Sequence, residues 1–231
     1  MTGPTHRGRV IGRSPLSTRV TELLLEVEGD EPFRWLAGQH VVLRPDLPDG
    51  EASYFSIAAA PNQAGLRHLT LASRNDSELL ARAPLGAFVR IEGPFGKLTF
   101  HPAPGALLVG AGTGVAPLRA IVHSALASDD DTPLVLLTGN RTSSDLLWHR
   151  ELVALASEHA RFVYEPVLSQ ADASFSGRRG YVQDHLPVIA SELPAGFRAY
   201  LCGATRMVDD CRGLLGELGV PPERILYEAD S

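Results

Sequence analysis

Hydrophobic and polar residues alternate over short runs in the first hundred positions, and turn residues separate the runs. Six of these runs are typical of β-strands. They cover residues 8–14, 18–27, 35–44, 53–61, 68–73 and 87–93. A short helix is predicted over residues 77–83. Strands at this close spacing predict an antiparallel β-barrel.

The pattern changes after residues 101–105, where two prolines and a glycine predict a linker. Beyond it, apolar runs at 107–109, 134–138, 162–167 and 199–202 alternate with helical stretches at 115–127, 144–158, 182–193 and 207–218. This alternation predicts a doubly wound α/β fold, a parallel sheet with helices on both faces. We therefore expect a β-barrel domain over residues 1–102 and an α/β domain over residues 103–231.

The first strand of the second half runs directly into a glycine-rich turn. The segment Leu107-Leu-Val-Gly-Ala-Gly-Thr-Gly-Val-Ala-Pro-Leu118 predicts a strand, a tight turn and a helix with Pro117 in its first turn. Such a turn points backbone N–H groups at a ligand from the positive end of a helix dipole. It therefore predicts a dinucleotide site. Ala116 departs from the usual fingerprint, and similar turns also occur for packing reasons.

Composition excludes several classes of function. The 231 residues carry a formal net charge of −6 without a dense basic run, so neither nucleic acid nor a membrane is expected as a partner. No apolar stretch approaches the roughly 20 residues that span a bilayer, and no signal-peptide segment is evident, so we expect a cytoplasmic protein. The 2 cysteines and the 8 scattered histidines indicate no disulfide framework, iron–sulfur cluster or metal site of its own.

The chain resembles the ferredoxin reductase-like flavoprotein family over almost its full length. The resemblance rests on six motifs that occur in the family's order. They are Ser53-Tyr-Phe-Ser-Ile-Ala58, Gly93-Pro-Phe-Gly96, Gly110-Ala-Gly-Thr-Gly-Val-Ala-Pro117, Gly139-Asn-Arg-Thr142, Gly177-Arg-Arg-Gly-Tyr181 and Cys202-Gly-Ala-Thr-Arg-Met207. In that family a barrel carries FAD or FMN, an α/β domain carries NADH or NADPH, and hydride passes between them in the cleft. The resemblance implies the same division of labour here.

The resemblance also implies roles for particular residues. Ser56 matches the serine that hydrogen-bonds the flavin near N5, Cys202 a residue that touches the nicotinamide, and Glu228 an acidic residue that relays protons. The residues implied in flavin binding are Tyr54, Phe55, Ile57, Arg74 and Ser77, and those implied in nucleotide binding are Gly110, Gly112, Thr113, Gly114, Pro117, Arg141, Gly203 and Met207. Each residue type also has an ordinary structural use, as a core aromatic, a buried cysteine or a solvated arginine.

Three positions depart from the family pattern. Ser53 replaces the arginine that pairs with the flavin phosphate, and Phe55 replaces a tyrosine. A charge-assisted contact is worth on the order of 1.5–3 kcal/mol, so its loss weakens flavin binding roughly tenfold to a hundredfold. Arg74 and the helix predicted near Ser77 are candidates to replace it. Asp230 stands where many relatives have an aromatic residue that shields the flavin.

We predict an NAD(P)H-dependent flavin oxidoreductase that passes electrons to a protein acceptor such as a ferredoxin or an oxygenase component. Two alternatives remain open. One is a reductase that uses free flavin as a substrate, and the other is a non-catalytic binding or regulatory subunit that kept the fold. The choices between FAD and FMN, NADH and NADPH, and monomer and dimer also remain open.

Overall fold

The computed structural model describes residues 4–46, 51–65, 67–77, 83–129 and 131–230. The first half contains a sheet of six antiparallel strands. They are β1 (Thr5–Pro15), β2 (Val20–Val27), β3 (His40–Pro45), β4 (Ser53–Ser56), β5 (His68–Arg74) and β6 (Phe88–Phe95), in the order β4-β3-β6-β1-β2-β5. A bridge between Ile57 and Leu71 draws the two edges together, so the sheet curls into the predicted barrel.

The barrel forms because its strands carry apolar residues at every second position. In β2, Leu23, Leu25 and Val27 are buried, whereas Glu22 and Glu26 are partly exposed. The same core contains Val10, Val41, Leu43, Phe55, Ile57, Leu69, Leu71, Val89 and Ile91. A single helical turn, α1 (Pro61–Ala64), was not predicted. The helix predicted over residues 77–83 lies mostly outside the described residues.

The second half is a sheet of six parallel strands with helices on both faces. The strands are β7 (Ala106–Ala111), β8 (Leu134–Asn140), β9 (Phe162–Leu168), β10 (Arg178–Arg179), β11 (Arg198–Ala204) and β12 (Ile225–Asp230). The helices are α2 (Val115–Leu126), α3 (His149–Glu158), α4 (Val182–Glu192) and α5 (Thr205–Glu217). The predicted doubly wound fold is confirmed.

The strand order β10-β9-β8-β7-β11-β12 makes β7 the point at which the order of connection reverses. A crevice for ligands opens beyond the carboxyl end of a strand at such a switch point. The strands β10 and β12 at the two edges were not predicted. The helix predicted to start at residue 144 starts instead at His149, because Ser143–Asp145 form a separate 3₁₀ turn and Trp148 has a φ of 49°.

A buried arginine joins the two halves. Arg119 on α2 is 9% exposed and donates from Nη1 to the carbonyl of Ala58, which follows β4, at 2.7 Å. Its Nη2 and Nε lie 2.7 and 3.1 Å from the two carboxylate oxygens of Glu151 on α3. Its guanidinium carbon is 5.0 Å from the ring of Trp148, whose Nε1 donates to Glu22 of β2 at 2.8 Å. Polar contacts therefore cross from the parallel domain to both β2 and β4.

Apolar and backbone contacts continue the same interface. Val20, Ala58 and Ala72 of the barrel half belong to one small cluster with Ala116 and Leu147 of the α/β half. The linker is held separately, because the hydroxyl of Tyr200 on β11 accepts from the N–H of His101 at 2.9 Å and donates to its carbonyl at 3.1 Å. The relative position of the two domains is thus determined at several points.

The carboxylate of Glu151 makes this interface sensitive to acid. Burial alone would raise the pKa of Glu151, but the hydrogen bond to His123 and the charge and hydrogen bonds of Arg119 outweigh burial and hold the pKa below its ordinary value. The ionised carboxylate of Glu151 stabilises the folded protein fully above the ordinary glutamate pKa. This stabilisation is lost as the pH falls through the lower pKa of Glu151 in the folded state. We expect Glu151→Gln to lower the free energy of unfolding by about 2 kcal/mol near neutral pH, and by much less near about pH 2, below the lowered pKa of the folded state.

Urea unfolding at the two pH values measures this difference. Glu26→Gln is the matched control, because Glu26 forms an exposed ion pair with Arg9 at 2.7 Å, and such pairs contribute about 0–1 kcal/mol. A loss for Glu151→Gln that is the same at both pH values would contradict the assignment.

Candidate functional site

A cleft of about 1440 Å³ opens beyond the carboxyl ends of β7, β8 and β11. Ala111 and Gly112 line it after β7, Asn140 and Arg141 where β8 ends, and Met207 after β11. The hairpin between β1 and β2 closes one side. This is where a doubly wound sheet binds its ligands, so the glycine turn predicted from the sequence lies in the wall of the cleft.

The glycine turn depends on close backbone packing. Gly112, with a φ of 55°, begins a 3₁₀ turn that ends at Gly114, and α2 begins at the next residue with Pro117 in its first turn. A Cβ on Gly114 would lie 2.2 Å from the carbonyl oxygen of Cys202, and one on Gly110 would lie 2.8 Å from Leu118. The turn thus packs directly on β11, and its residues Ala111 and Gly112 lie in the wall of the cleft, just before the amino end of α2.

The end of β11 brings further predicted residues to this turn. Cys202 is 3% exposed and pairs in register with Gly110 of β7 on one side and Glu228 of β12 on the other. Gly203 has a φ of 144°, and a Cβ there would lie 2.9 Å from the terminal methyl of Met207 and 3.1 Å from the carbonyl oxygen of Ala111. Cys202, Gly203 and Met207 therefore form one wall beside the glycine turn.

Strand pairing and one side-chain contact link the three predicted catalytic residues, Ser56, Cys202 and Glu228, across the domain boundary. Ser56 on β4 pairs in register with His40 on β3, so both side chains project from the same face of the barrel sheet. The Nδ1 atom of His40 lies 3.3 Å from Oε1 of Glu228, which is the register partner of Cys202. The four residues come from both halves of the chain and meet at the domain boundary.

His40 was not recognised from the sequence. A histidine in a strand with alternating polar and apolar residues is typical of an exposed polar position and does not by itself indicate a site. A signal was nevertheless present in Gly96, which has a φ of 98° and ends the Gly-Pro-Phe-Gly motif. A Cβ on Gly96 would lie 2.5 Å from Oε1 of Glu228 and 2.9 Å from Nδ1 of His40. The glycine therefore makes room for the His40–Glu228 pair.

The predicted flavin residues divide between two faces of β4 and its continuation. Tyr54 is 73% exposed, and its ring centroid lies 6.2 Å from that of His40 on the same face as Ser56. Phe55 and Ile57 are buried in the barrel core. Alternation along the strand sends Phe55 and Ile57 to the opposite face from Tyr54, so the implied flavin contact of these two residues stays a prediction.

The predicted phosphate residues occupy the ends of β5 and β8. Arg74 donates from Nε and Nη2 to the two carboxylate oxygens of Asp76, at 3.1 and 2.7 Å, and both side chains are exposed. The N–H of Ser77 bonds the carbonyl of Arg74, and the helix expected there lies mostly outside the described residues. Arg141 follows β8 at the surface of the cleft.

The described part of the chain contains no group of three or more His, Cys, Asp or Glu side chains that could hold a metal ion. Among the helices of that part, none is both long enough and apolar enough to cross a membrane.

Comparison with known proteins finds relatives that match most of the chain. Residues 108–213 match the family of the oxidoreductase NAD-binding domain. The chain is 38% identical to ferredoxin–NADP reductase B of Sorangium cellulosum, over 95% of each chain. It is 31% identical to the ferredoxin–NAD(P)⁺ reductase component of the naphthalene 1,2-dioxygenase system of Pseudomonas putida, over 89% of this chain and 63% of that one. The cytochrome P450 reductase GcoB of Amycolatopsis superposes with a TM-score of 0.85 at 26% identity, over 98% of this chain and 69% of that one.

The packing of Gly114 on Cys202 can be tested by substitution. We expect Gly114→Ala to lower the free energy of unfolding by about 2–3 kcal/mol, because a backbone carbonyl occupies the position of the new methyl group. Gly216→Ala is the control, since Gly216 lies on α5 with open space around it and alanine there adds about 0.5–1 kcal/mol. Equal effects of the two substitutions in chemical denaturation would show that the turn is not tightly packed.

Proposed function

The chain belongs to the ferredoxin reductase-like family of FAD- and NAD(P)-binding oxidoreductases, and on that premise we propose that it carries hydride from a nicotinamide dinucleotide to a bound FAD and passes the electrons to a ferredoxin or to an oxygenase component. The observation that carries the proposal is a series of neighbouring residues across the domain boundary. Ser56 pairs in register with His40, His40 contacts Glu228, and Glu228 pairs in register with Cys202. It joins the barrel face to the end of β11, where Cys202 pairs in register with Gly110 of the glycine turn.

The residues on both sides fit these two cofactors in size and chemistry. Gly112 leaves open space at the turn, where a pyrophosphate can approach the backbone. On the barrel, the exposed ring of Tyr54 offers a stacking surface beside the hydroxyl of Ser56. When FAD is bound, its isoalloxazine ring supplies the redox chemistry by taking two electrons as hydride from NAD(P)H and releasing them one at a time.

The protein's contribution is to position groups and to handle the proton. Ser56 donates a hydrogen bond to the flavin, and Cys202, which is small and buried, holds the nicotinamide at the correct distance. Glu228 and His40 are about a quarter exposed, at 25% and 23%, and His40 is the register partner of Ser56 on the neighbouring strand. We assign the exchange of the flavin proton to this pair.

A specific observation favours a second candidate function, the reduction of free flavin. Ser53 has no charge to offer a flavin phosphate, and the fork of Arg74 is engaged by Asp76. Both features favour weak binding of the flavin, which would then be a substrate that leaves after reduction.

Absorption spectroscopy separates the two functions. In the proposed reductase, the purified protein shows flavin bands that bleach anaerobically on addition of NADH or NADPH, and a ferredoxin is then reduced. A colourless protein that oxidises NAD(P)H with added FMN or FAD is a free-flavin reductase. A protein that binds no flavin and oxidises neither nucleotide overturns both proposals and leaves a non-catalytic role.

Ser56→Ala tests the flavin contact. We expect the rate of flavin reduction at saturating NAD(P)H to fall about 10- to 100-fold, because this hydrogen bond acts mainly in the transition state. The Kd of the nucleotide should change less than about twofold. Ser191→Ala is the control, because Ser191 is exposed on α4 and its hydroxyl donates to the carbonyl of Val188 on the same helix. Stopped-flow absorbance measures both variants, and equal rates for Ser56→Ala and wild type would contradict the role.

Glu228→Gln tests the proton path. We expect turnover with an electron acceptor to fall about tenfold, because the glutamine cannot exchange a proton. The double variant with His40→Asn should be no slower than either single variant if the two side chains act as a unit. Glu223→Gln, exposed in the 3₁₀ turn before β12, is the control. Additive losses in the double variant would contradict a shared path.

A further inference from the structure

We propose that Arg19, on the hairpin of the barrel domain, binds the pyrophosphate of the nicotinamide dinucleotide across the domain cleft. The inference rests on the proposed function and deepens it, because it makes the nucleotide site a composite of both domains. It assigns a ligand contact to a residue outside the six sequence motifs.

The position of the hairpin carries the first part of the argument. Val20 packs with Ala116 and Leu147 of the other half, so the hairpin is seated on the α/β domain. Arg19 precedes Val20 and lines the same cleft as Ala111 and Gly112 of the glycine turn. A ligand held by that turn can therefore contact both halves, with Arg19 on the barrel side of the cleft.

The backbone at Arg19 is held in place by hydrogen bonds. The Oγ atom of Ser17 accepts from the N–H groups of Arg19 and Val20, at 3.2 and 3.1 Å. Asn75 donates its N–H to the carbonyl of Arg19 at 2.8 Å, and its Nδ2 donates to the carbonyl of Thr18 at 3.0 Å. The side chain itself is exposed, and it forms no salt bridge with any described residue. A backbone fixed by hydrogen bonds thus presents an exposed guanidinium to the cleft, so binding must order the side chain but not the hairpin.

The charges around the cleft explain why a cation is needed there. Its lining contains the carboxylates Asp145, Asp184, Asp209, Asp210 and Glu217, all from the α/β half. Three described arginines offset them, namely Arg19, Arg141 and Arg206. Arg141 lies after β8, and Arg206 is 94% exposed with Asp210 at 3.9 Å. The glycine turn contributes only backbone groups, so Arg19 is the cation that the barrel brings to the doubly charged pyrophosphate.

Two variants of the FAD-loaded protein test the assignment. We expect Arg19→Gln to raise the Kd of NAD⁺ or NADP⁺, whichever the wild type prefers, by about tenfold. Inorganic pyrophosphate should compete with the nucleotide, and its Ki should rise by a similar factor. Arg19→Lys should recover part of the affinity, since lysine keeps the positive charge but lacks the paired N–H donors of the guanidinium. The flavin reduction rate at saturating nucleotide should stay within about twofold of wild type, because the contact is equal in ground and transition states.

Arg13→Gln is the matched control, because Arg13 is exposed on β1 of the same hairpin and does not line the cleft. Nucleotide affinity that is unchanged in Arg19→Gln overturns the assignment. A weaker FAD affinity with normal nucleotide affinity also overturns it and moves Arg19 to the flavin phosphate. A wild type that binds no nicotinamide dinucleotide overturns the proposed function itself, which separates that failure from a failure of Arg19 alone.

Discussion

The guanidinium of Arg119 can remain buried between the two domains only if a carboxylate neutralises it and acceptors take its hydrogen bonds. Glu151 supplies the charge from the parallel domain, and the carbonyl of Ala58 supplies an acceptor from the barrel half. Both requirements are met together in one relative orientation of the domains. Trp148 reinforces that orientation through Glu22. These contacts therefore fix the relative orientation of the two domains, so residues from both can contribute to one site at their boundary.

Within that orientation, the site depends on glycines where backbone and side chains approach most closely. Gly114 lets the dinucleotide turn pack on the carbonyl of Cys202, and Gly96 lets Glu228 of the last strand reach His40 of the barrel. The first contact joins the turn to β11, and the second joins β12 to β3. Through the second contact the ends of two sheets with different architectures meet.

The electrostatics of the molecule explain how an acidic protein can bind anionic cofactors. A chain with a net charge of −6 does not attract phosphates by its overall field. Backbone N–H groups at the amino end of α2 add no ionisable group, and arginines act locally within the cleft. The flavin side lacks the corresponding arginine, since Ser53 stands in its place. The two cofactors are therefore expected to differ in how firmly the protein holds them.

The sequence by itself determined the two architectures and the glycine turn, because periodicity and short motifs are local properties of the chain. The roles of Ser56, Cys202 and Glu228 stay predictions that the resemblance implies. It did not determine that Phe55 and Ile57 face the barrel core, that His40 pairs with Glu228, or that Arg19 lines the nucleotide cleft. His40 and Glu228 are 188 residues apart in the sequence (228 minus 40), so no local pattern relates them. Those relations were decided by tertiary structure, since they exist only after strand register and the packing around Arg119 bring distant segments together.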